Sequence, residues 1–272
     1  MTDWREGGCV VSWTNGVGRK ASIPYRWKDY FDTSQLRWSG MVGKTCQFEY
    51  QRHPIDDLVS LKSRIPKATL DSWRAELSNW NGVDAFRGRV DEILRPLSRS
   101  VFFGQAGLAF LRDAWIAGRF ATALSSDLVR LAPTERPDFE IQTDEVIQQF
   151  EATEADRDGR RRGDEQDSFG LEPDPVEQWR ARFEAIPAAL DRVVTKKIAK
   201  NYPPEVGLAI YVNLGCYGAY VDEGLPVLQN GTAPAKDKFR VVLVMWEGTV
   251  YKLWEDGRPI LVKWPYTSEE DF

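Results

Sequence analysis

An α+β fold is predicted, with a small N-terminal β domain ahead of a larger α/β domain built on a mixed sheet. Three observations predict it. Residues 8–51 carry short apolar runs broken by turn residues. From Lys67 the apolar spacing changes to the three- and four-residue steps of helices. Between residues 105 and 214 the order is helix, strand, strand, strand, helix, strand, and a three-strand meander closes the chain. The divisions expected are 1–62 for the β domain, 63–103 for a helical connector and 104–272 for the α/β domain with its meander.

Each element has a local cause. Cys9-Val10-Val11-Ser12-Trp13 is a short β run ended by Thr14-Asn15-Gly16-Val17-Gly18, whose asparagine and glycines favour a turn. Lys20 to Pro24 is the return strand, and Thr45 to Tyr50 alternates as a further one. Leu70, Trp73, Leu77 and Trp80 lie on one helical face, which Asn81-Gly82 stops. Val83 to Leu97 reads as a second helix, and the alanine- and leucine-rich stretch Gln105 to Leu124 as a long buried one. Leu128–Leu131, Pro137–Ile141 and Ile147–Thr153 read as strands. Glu154 to Asp167 is almost wholly charged around Arg160-Arg161-Arg162 and is expected to be a loop.

Asp174-Pro175 is a helix start, with a capping carboxylate and proline at the first position. Val176, Trp179, Phe183, Ile186, Leu190, Val193 and Ile198 mark the helix's apolar face, which Pro187 is expected to kink and Pro203-Pro204 to end. Gly207 to Leu214 reads as an apolar strand of the kind buried on both faces. Phe239–Trp246, Thr249–Trp254 and Pro259–Trp264 form the meander, joined through Glu247-Gly248 and Asp256-Gly257.

Composition removes several functions. Of the 272 residues, 42% are hydrophobic and 28% charged, ordinary values that exclude wholesale disorder. No apolar run approaches the ~20 residues a bilayer helix needs, and no signal-peptide pattern opens the chain, so a cytoplasmic protein without membrane attachment is expected. Three separated cysteines, Cys9, Cys46 and Cys216, exclude a cysteine-rich zinc module. The single histidine, His53, precedes a proline and reads as a loop residue. Chemistry must then rest on carboxylates, lysines or an oxygen-ligated metal. A net charge of −5 argues against coating of nucleic acid by bulk electrostatics but permits a local basic face. The eleven tryptophans are read mainly as core and sheet packing.

Asp138 opens the second of the three central strands and Glu151 lies in the third. If these strands pair as a hairpin through Gln142 to Val146, the two carboxylates approach each other. Paired carboxylates suit Mg²⁺, an oxygen-preferring cation that activates water and offsets charge on a scissile phosphate. The order and the residues resemble the PD-(D/E)xK nuclease superfamily over about residues 105–215. Pro137-Asp138 corresponds to its PD, and Glu151-Ala152-Thr153 stands where (D/E)xK is expected. The resemblance implies Asp138 and Glu151 as Mg²⁺ ligands. Thr153 departs from it, standing where the catalytic lysine belongs. Some members carry that lysine on the following helix, where this chain has Lys196, Lys197 and Lys200, all far down the helix. Glu154 and Asp156 extend the acidic set, and Arg157, Arg160, Arg161 and Arg162 beside it suit a phosphate backbone or a solvated loop equally.

Residues 8–51 weakly resemble a cold-shock or OB-type barrel. Val10-Val11-Ser12-Trp13 with Gly16-Val17-Gly18 stands for its first strand and turn, and 30–36 and 42–48 for two later segments. The resemblance implies stacking of bases on Trp13, Tyr30 and Phe31, with Arg19 and Lys20 on phosphate. The second strand, Arg19 to Ile23, lacks the aromatic pair that family places there, and packing of these aromatics inside a small barrel is the competing reading.

Two functions follow. One is a nucleic-acid-associated protein acting as a Mg²⁺-dependent endonuclease or phosphodiesterase. The other is a catalytically inactive nuclease-fold protein that binds nucleic acid, or a protein partner through the C-terminal β-meander. A small-molecule enzyme ranks below both, because no GxxxxGK[ST] loop is present.

Overall fold

The computed structural model describes the strand backbones over 10–14, 20–24, 36–42 and 45–50, together with residues 64–97, 105, 107–134, 136–157, 176–216 and 218–265. The chain divides into two units, one founded on residues 1–60 and one on residues 61–168 and 175–267.

In the first unit, β1 (Val10–Thr14), β2 (Lys20–Pro24), β3 (Leu36–Val42) and β4 (Thr45–Tyr50) form a four-stranded sheet in the order β2-β1-β4-β3. β1 pairs antiparallel with β2, setting Trp13 opposite Ala21, and parallel with β4, setting Val11 opposite Cys46. β3 falls between the segments expected at 30–36 and 42–48. It pairs antiparallel with β4, with a register shift between Trp38 and Gly40. Closure into a barrel lies outside the described residues.

The second unit is a mixed α+β assembly around an open eight-stranded sheet, ordered β12-β11-β10-β9-β8-β7-β6-β5. Its elements are α1 (Lys67–Leu77), β5 (Asn81–Gly82), α2 (Val83–Leu94), α3 (Ala109–Ala123), β6 (Leu128–Leu131), β7 (Phe139–Thr143) and β8 (Val146–Ala155). They continue with α4 (Val176–Ile198), β9 (Gly207–Val212), α5 (Val221–Thr232), β10 (Val241–Trp246), β11 (Thr249–Glu255) and β12 (Arg258–Pro265). β5 to β8 run antiparallel, β8, β9 and β10 run parallel, and β10 to β12 are antiparallel again. The two parallel steps need crossovers, which α4 and α5 provide.

Both crossover helices cover one face of the sheet, as two same-handed crossovers in one direction must. Phe183, Ile186, Leu190 and Val194 of α4 meet Leu208, Ile210, Val242 and Val244 there. The opposite face carries α1, α2 and α3, whose Leu77, Phe86, Leu111, Ala114 and Phe120 meet Phe139, Ile141, Phe150 and Ala152. Each large side chain so buried contributes about 1.5–3 kcal/mol of transfer free energy. Residues 63–103, expected as a connector, thus supply two helices to the same core and, in β5, the sheet's edge strand.

The β7–β8 hairpin closes on Asp144 and Glu145, with φ of 47° and 66°. Two consecutive positive φ values define the tight turn whose twist matches paired strands, and the turn fixes the register of everything above it. Glu247-Gly248 and Asp256-Gly257 close the two meander hairpins in the same conformation. No described helix is long and apolar enough to cross a membrane.

Candidate functional site

The β7–β8 register pairs Phe139 with Phe150, and Asp138 lies one step further along, level with Glu151. Residues opposed in an antiparallel ladder share a face. The ladder reaches Asp138, whose N–H donates to the Phe150 carbonyl at 3.0 Å. Here β7 ends while β8 runs on, and the Asp138 carboxylate takes over as acceptor. The Ala152 N–H donates to its Oδ2 at 2.8 Å.

The third member comes from α4. Lys197 Nζ donates to Glu151 Oε2 at 2.6 Å and lies 3.4 Å from Asp138 Oδ2. The side chains of Glu151, Lys197 and Asp138 are 2%, 10% and 24% exposed, so this is an interior ion cluster reached from the Asp138 side. The distance of Lys197 along α4 is what delivers it. A crossover helix runs back against its strands, so its last turn returns to the level where β9 begins, and Gly207 and Leu208 of β9 pair with Phe150 and Glu151. Lys197 also continues the buried stripe of Ile186, Leu190 and Val194, the signal in the sequence that separates it from its neighbours.

Lys196 and Lys200 are exposed on the other flank and do not enter the cluster. Thr153 is half-buried, two residues beyond Glu151 on β8. Glu154 points to the opposite face and accepts from Asn213 Nδ2 at 2.8 Å, apart from the acidic pair. Arg157 is exposed just past β8, its N–H on Asp156 Oδ1. Trp13 and Lys20 lie on β1 and β2, with side chains outside the described residues, as are Arg19, Tyr30, Phe31, His53, Arg160, Arg161 and Arg162.

Two residues not anticipated from the sequence join the site. Tyr202, in the turn after α4, sets its ring 5.8 Å from Lys197 Nζ. Asp113 of α3, 15% exposed and paired with Arg112 at 2.8 Å, lies within reach of the charges of both Asp138 and Lys197. A carboxylate on the inner flank of an alanine-rich helix was its available signal.

Electrostatically the cluster is unbalanced. Two carboxylates share one ammonium, leaving a net negative charge where water is scarce, while Asp113 has Arg112 as its own counterion. Burial, partly offset by Lys197 and reinforced by Asp138, raises the pKa of Glu151 above the usual carboxylate range. Burial likewise raises Asp113, against the lowering effect of Arg112. Glu151 Oε1 is buried without a hydrogen-bond partner. A charged oxygen so placed carries a large desolvation cost that a cation relieves. Glu140, by contrast, has Arg130 at 2.5 Å and Gln149 at 2.7 Å, and Arg130 lies over the Trp80 ring. That neighbouring acid is satisfied and structural.

The residues present therefore fit a divalent cation held by Asp138 and Glu151. Among the described residues no group of three or more His, Cys, Asp or Glu forms a ligand set. Mg²⁺ characteristically uses one or two protein carboxylates and fills its shell with water and phosphate oxygens. Comparison with family models, with curated proteins and with solved structures returns no match.

Proposed function

We propose that the chain is a nucleic-acid-associated protein whose larger unit hydrolyses phosphodiesters with Mg²⁺. The observation that carries this reading is the meeting of Lys197 with Asp138 and Glu151. It supplies from α4 the cation that Thr153 cannot. Asp138 and Glu151 would hold the metal, which supplies an activated water and Lewis-acid stabilisation of the phosphate. Lys197 places a second positive charge at the same point, where it orients the attacking water or offsets charge on the phosphoryl oxygens. Asp138, the most exposed of the three, faces the side from which a phosphate would approach. The N-terminal strands, read as an OB-type module, would capture single-stranded substrate, and the arginines from Arg157 to Arg162 would hold its backbone.

The test is cleavage of end-labelled DNA and RNA by the full-length protein with Mg²⁺ or Mn²⁺. Asp138→Asn, Glu151→Gln and Lys197→Met should each lower the rate on the order of 10²–10³-fold. Cleavage that persists in Asp138→Asn would remove the site from consideration.

One observation favours a second reading, in which the scaffold binds without turning over. At 2.6 Å, Lys197 already neutralises Glu151, and an ion pair of this kind is a stable arrangement without a metal. Under that reading the purified protein binds nucleic acid or a partner in chelator and cleaves nothing.

A further inference from the structure

The Tyr202 hydroxyl is the second buried polar atom at this site without a hydrogen-bond partner, the first being Glu151 Oε1. They are neighbours, the phenol and the Glu151 carboxylate standing close enough for each to act on the other as hydrogen-bond donor and acceptor. The ring is held from several sides. Phe239 packs against it at 5.7 Å, Arg136 lies 5.8 Å from its centroid, and Lys197 Nζ is at the same distance. An aromatic fixed this way keeps its hydroxyl aimed at one place.

We infer that Tyr202 is a positioning residue, whose hydroxyl donates to Glu151 Oε1 and holds that carboxylate in the orientation in which it converges with Asp138. Glu151 is otherwise fixed only through Oε2, by a lysine on a flexible stem, and a bond at each oxygen leaves the carboxylate plane no freedom to turn. Each oxygen has two lone-pair sites, so Oε1 can accept from Tyr202 and still face a cation. A phenol ordinarily keeps its proton near neutral pH and a carboxylate oxygen can only accept, so the Tyr202 hydroxyl is the donor of this pair. The inference rests on the proposed metal-binding reading for its consequence, but not for the Tyr202–Glu151 pairing itself.

Tyr202→Phe tests it in the full-length chain, because the ring and its packing are retained. Two measurements separate the pairing from the metal. In metal-free protein, the Tyr202 phenol C–O stretch, isolated as the infrared difference between the parent and Tyr202→Phe, should move when Glu151→Gln replaces an anionic acceptor with an amide. By calorimetry, Tyr202→Phe should bind Mn²⁺ about 10- to 100-fold more weakly, the usual cost of removing a group that orients a metal ligand. An unmoved phenol band overturns the inference. So does a moved band with unchanged Mn²⁺ affinity, which would leave a hydrogen bond that positions nothing. If the parent protein binds no Mn²⁺ while the band moves, the pairing stands and the metal reading falls.

Discussion

Asp138 stands level with Glu151 across the β7–β8 ladder, one step beyond the Phe139–Phe150 pair, and Lys197 bridges the two. The register that sets them side by side is fixed by a two-residue turn at Asp144-Glu145. A slip of one residue would send one carboxylate to the opposite face of the sheet.

Removing the ammonium should cost stability as well as any activity. Lys197→Met leaves Glu151 buried beside Asp138 with no counterion, and breaking such a pair costs about 3–5 kcal/mol. Mn²⁺ at a hundredfold excess over its dissociation constant should return about 2.7 kcal/mol of this. Urea denaturation with and without the metal measures both quantities. Equal stability of variant and parent would show that the pair contributes nothing to the fold.

Glu151 should give stability a pH dependence of definite sign. Its pKa is raised in the folded chain, so the native state holds this proton more tightly than the unfolded state does. Its contribution is therefore fully present below the ordinary value of 4.5 and is lost as pH rises from there through the raised value. In Glu151→Gln that slope disappears. Parallel denaturation series between pH 4 and 8 should show parent and variant diverging with pH; a constant difference contradicts the shift.

Gly224 should tolerate no side chain. A Cβ placed there would lie 2.1 Å from the Trp246 ring, since α5 approaches β10 closely at that point. Gly224→Ala should destabilise by about 1–3 kcal/mol through overpacking. Thermal unfolding reports the loss, and near-ultraviolet circular dichroism reports the displaced Trp246. An unchanged spectrum and midpoint would mean α5 can slide away.

Glu247 clamps the loop after β9. Its carboxylate accepts from the Cys216 N–H, and from the Gly218 N–H at 2.6 Å. Cys216 is buried beneath, its thiol pKa pushed up to about 12 by burial and then by Glu247. Glu247→Ala should free the loop at a cost of about 1.5–3 kcal/mol per charged hydrogen bond. Faster amide exchange at residues 216 and 218 would be the sign of it, and labelling of Cys216 by a thiol reagent should speed up in step.

Legibility in the sequence followed the strength of local periodicity. α3, β6, β7, β8, α4 and β9 emerge in order because their apolar spacing is regular and long. α5 does not, because Gly224, Pro226 and Gly231 interrupt a twelve-residue stretch with residues that disfavour helix. Packing explains two of them, as Trp246 and Leu190 occupy the space a side chain would take. β5 is two residues long and reads only as a helix stop. At the site, the acids were legible as a strand pair, while Lys197 differs from Lys196 and Lys200 only in continuing the apolar stripe of its helix. That stripe turns it inward, but that it meets Glu151 follows from the crossover helix returning to that level, a property of topology. Tyr202 and Asp113 carry no motif at all and are identified by what surrounds them.

Lys197 meets its carboxylates across 46 and 59 residues of chain, with a crossover helix between. No single helix or strand contains the trio, and a chain with every helix and strand formed still lacks it until α4 docks. Whatever chemistry or grip resides there is switched on when α4 docks against its strands. Uptake of Mn²⁺ or the onset of turnover would therefore time the docking of α4.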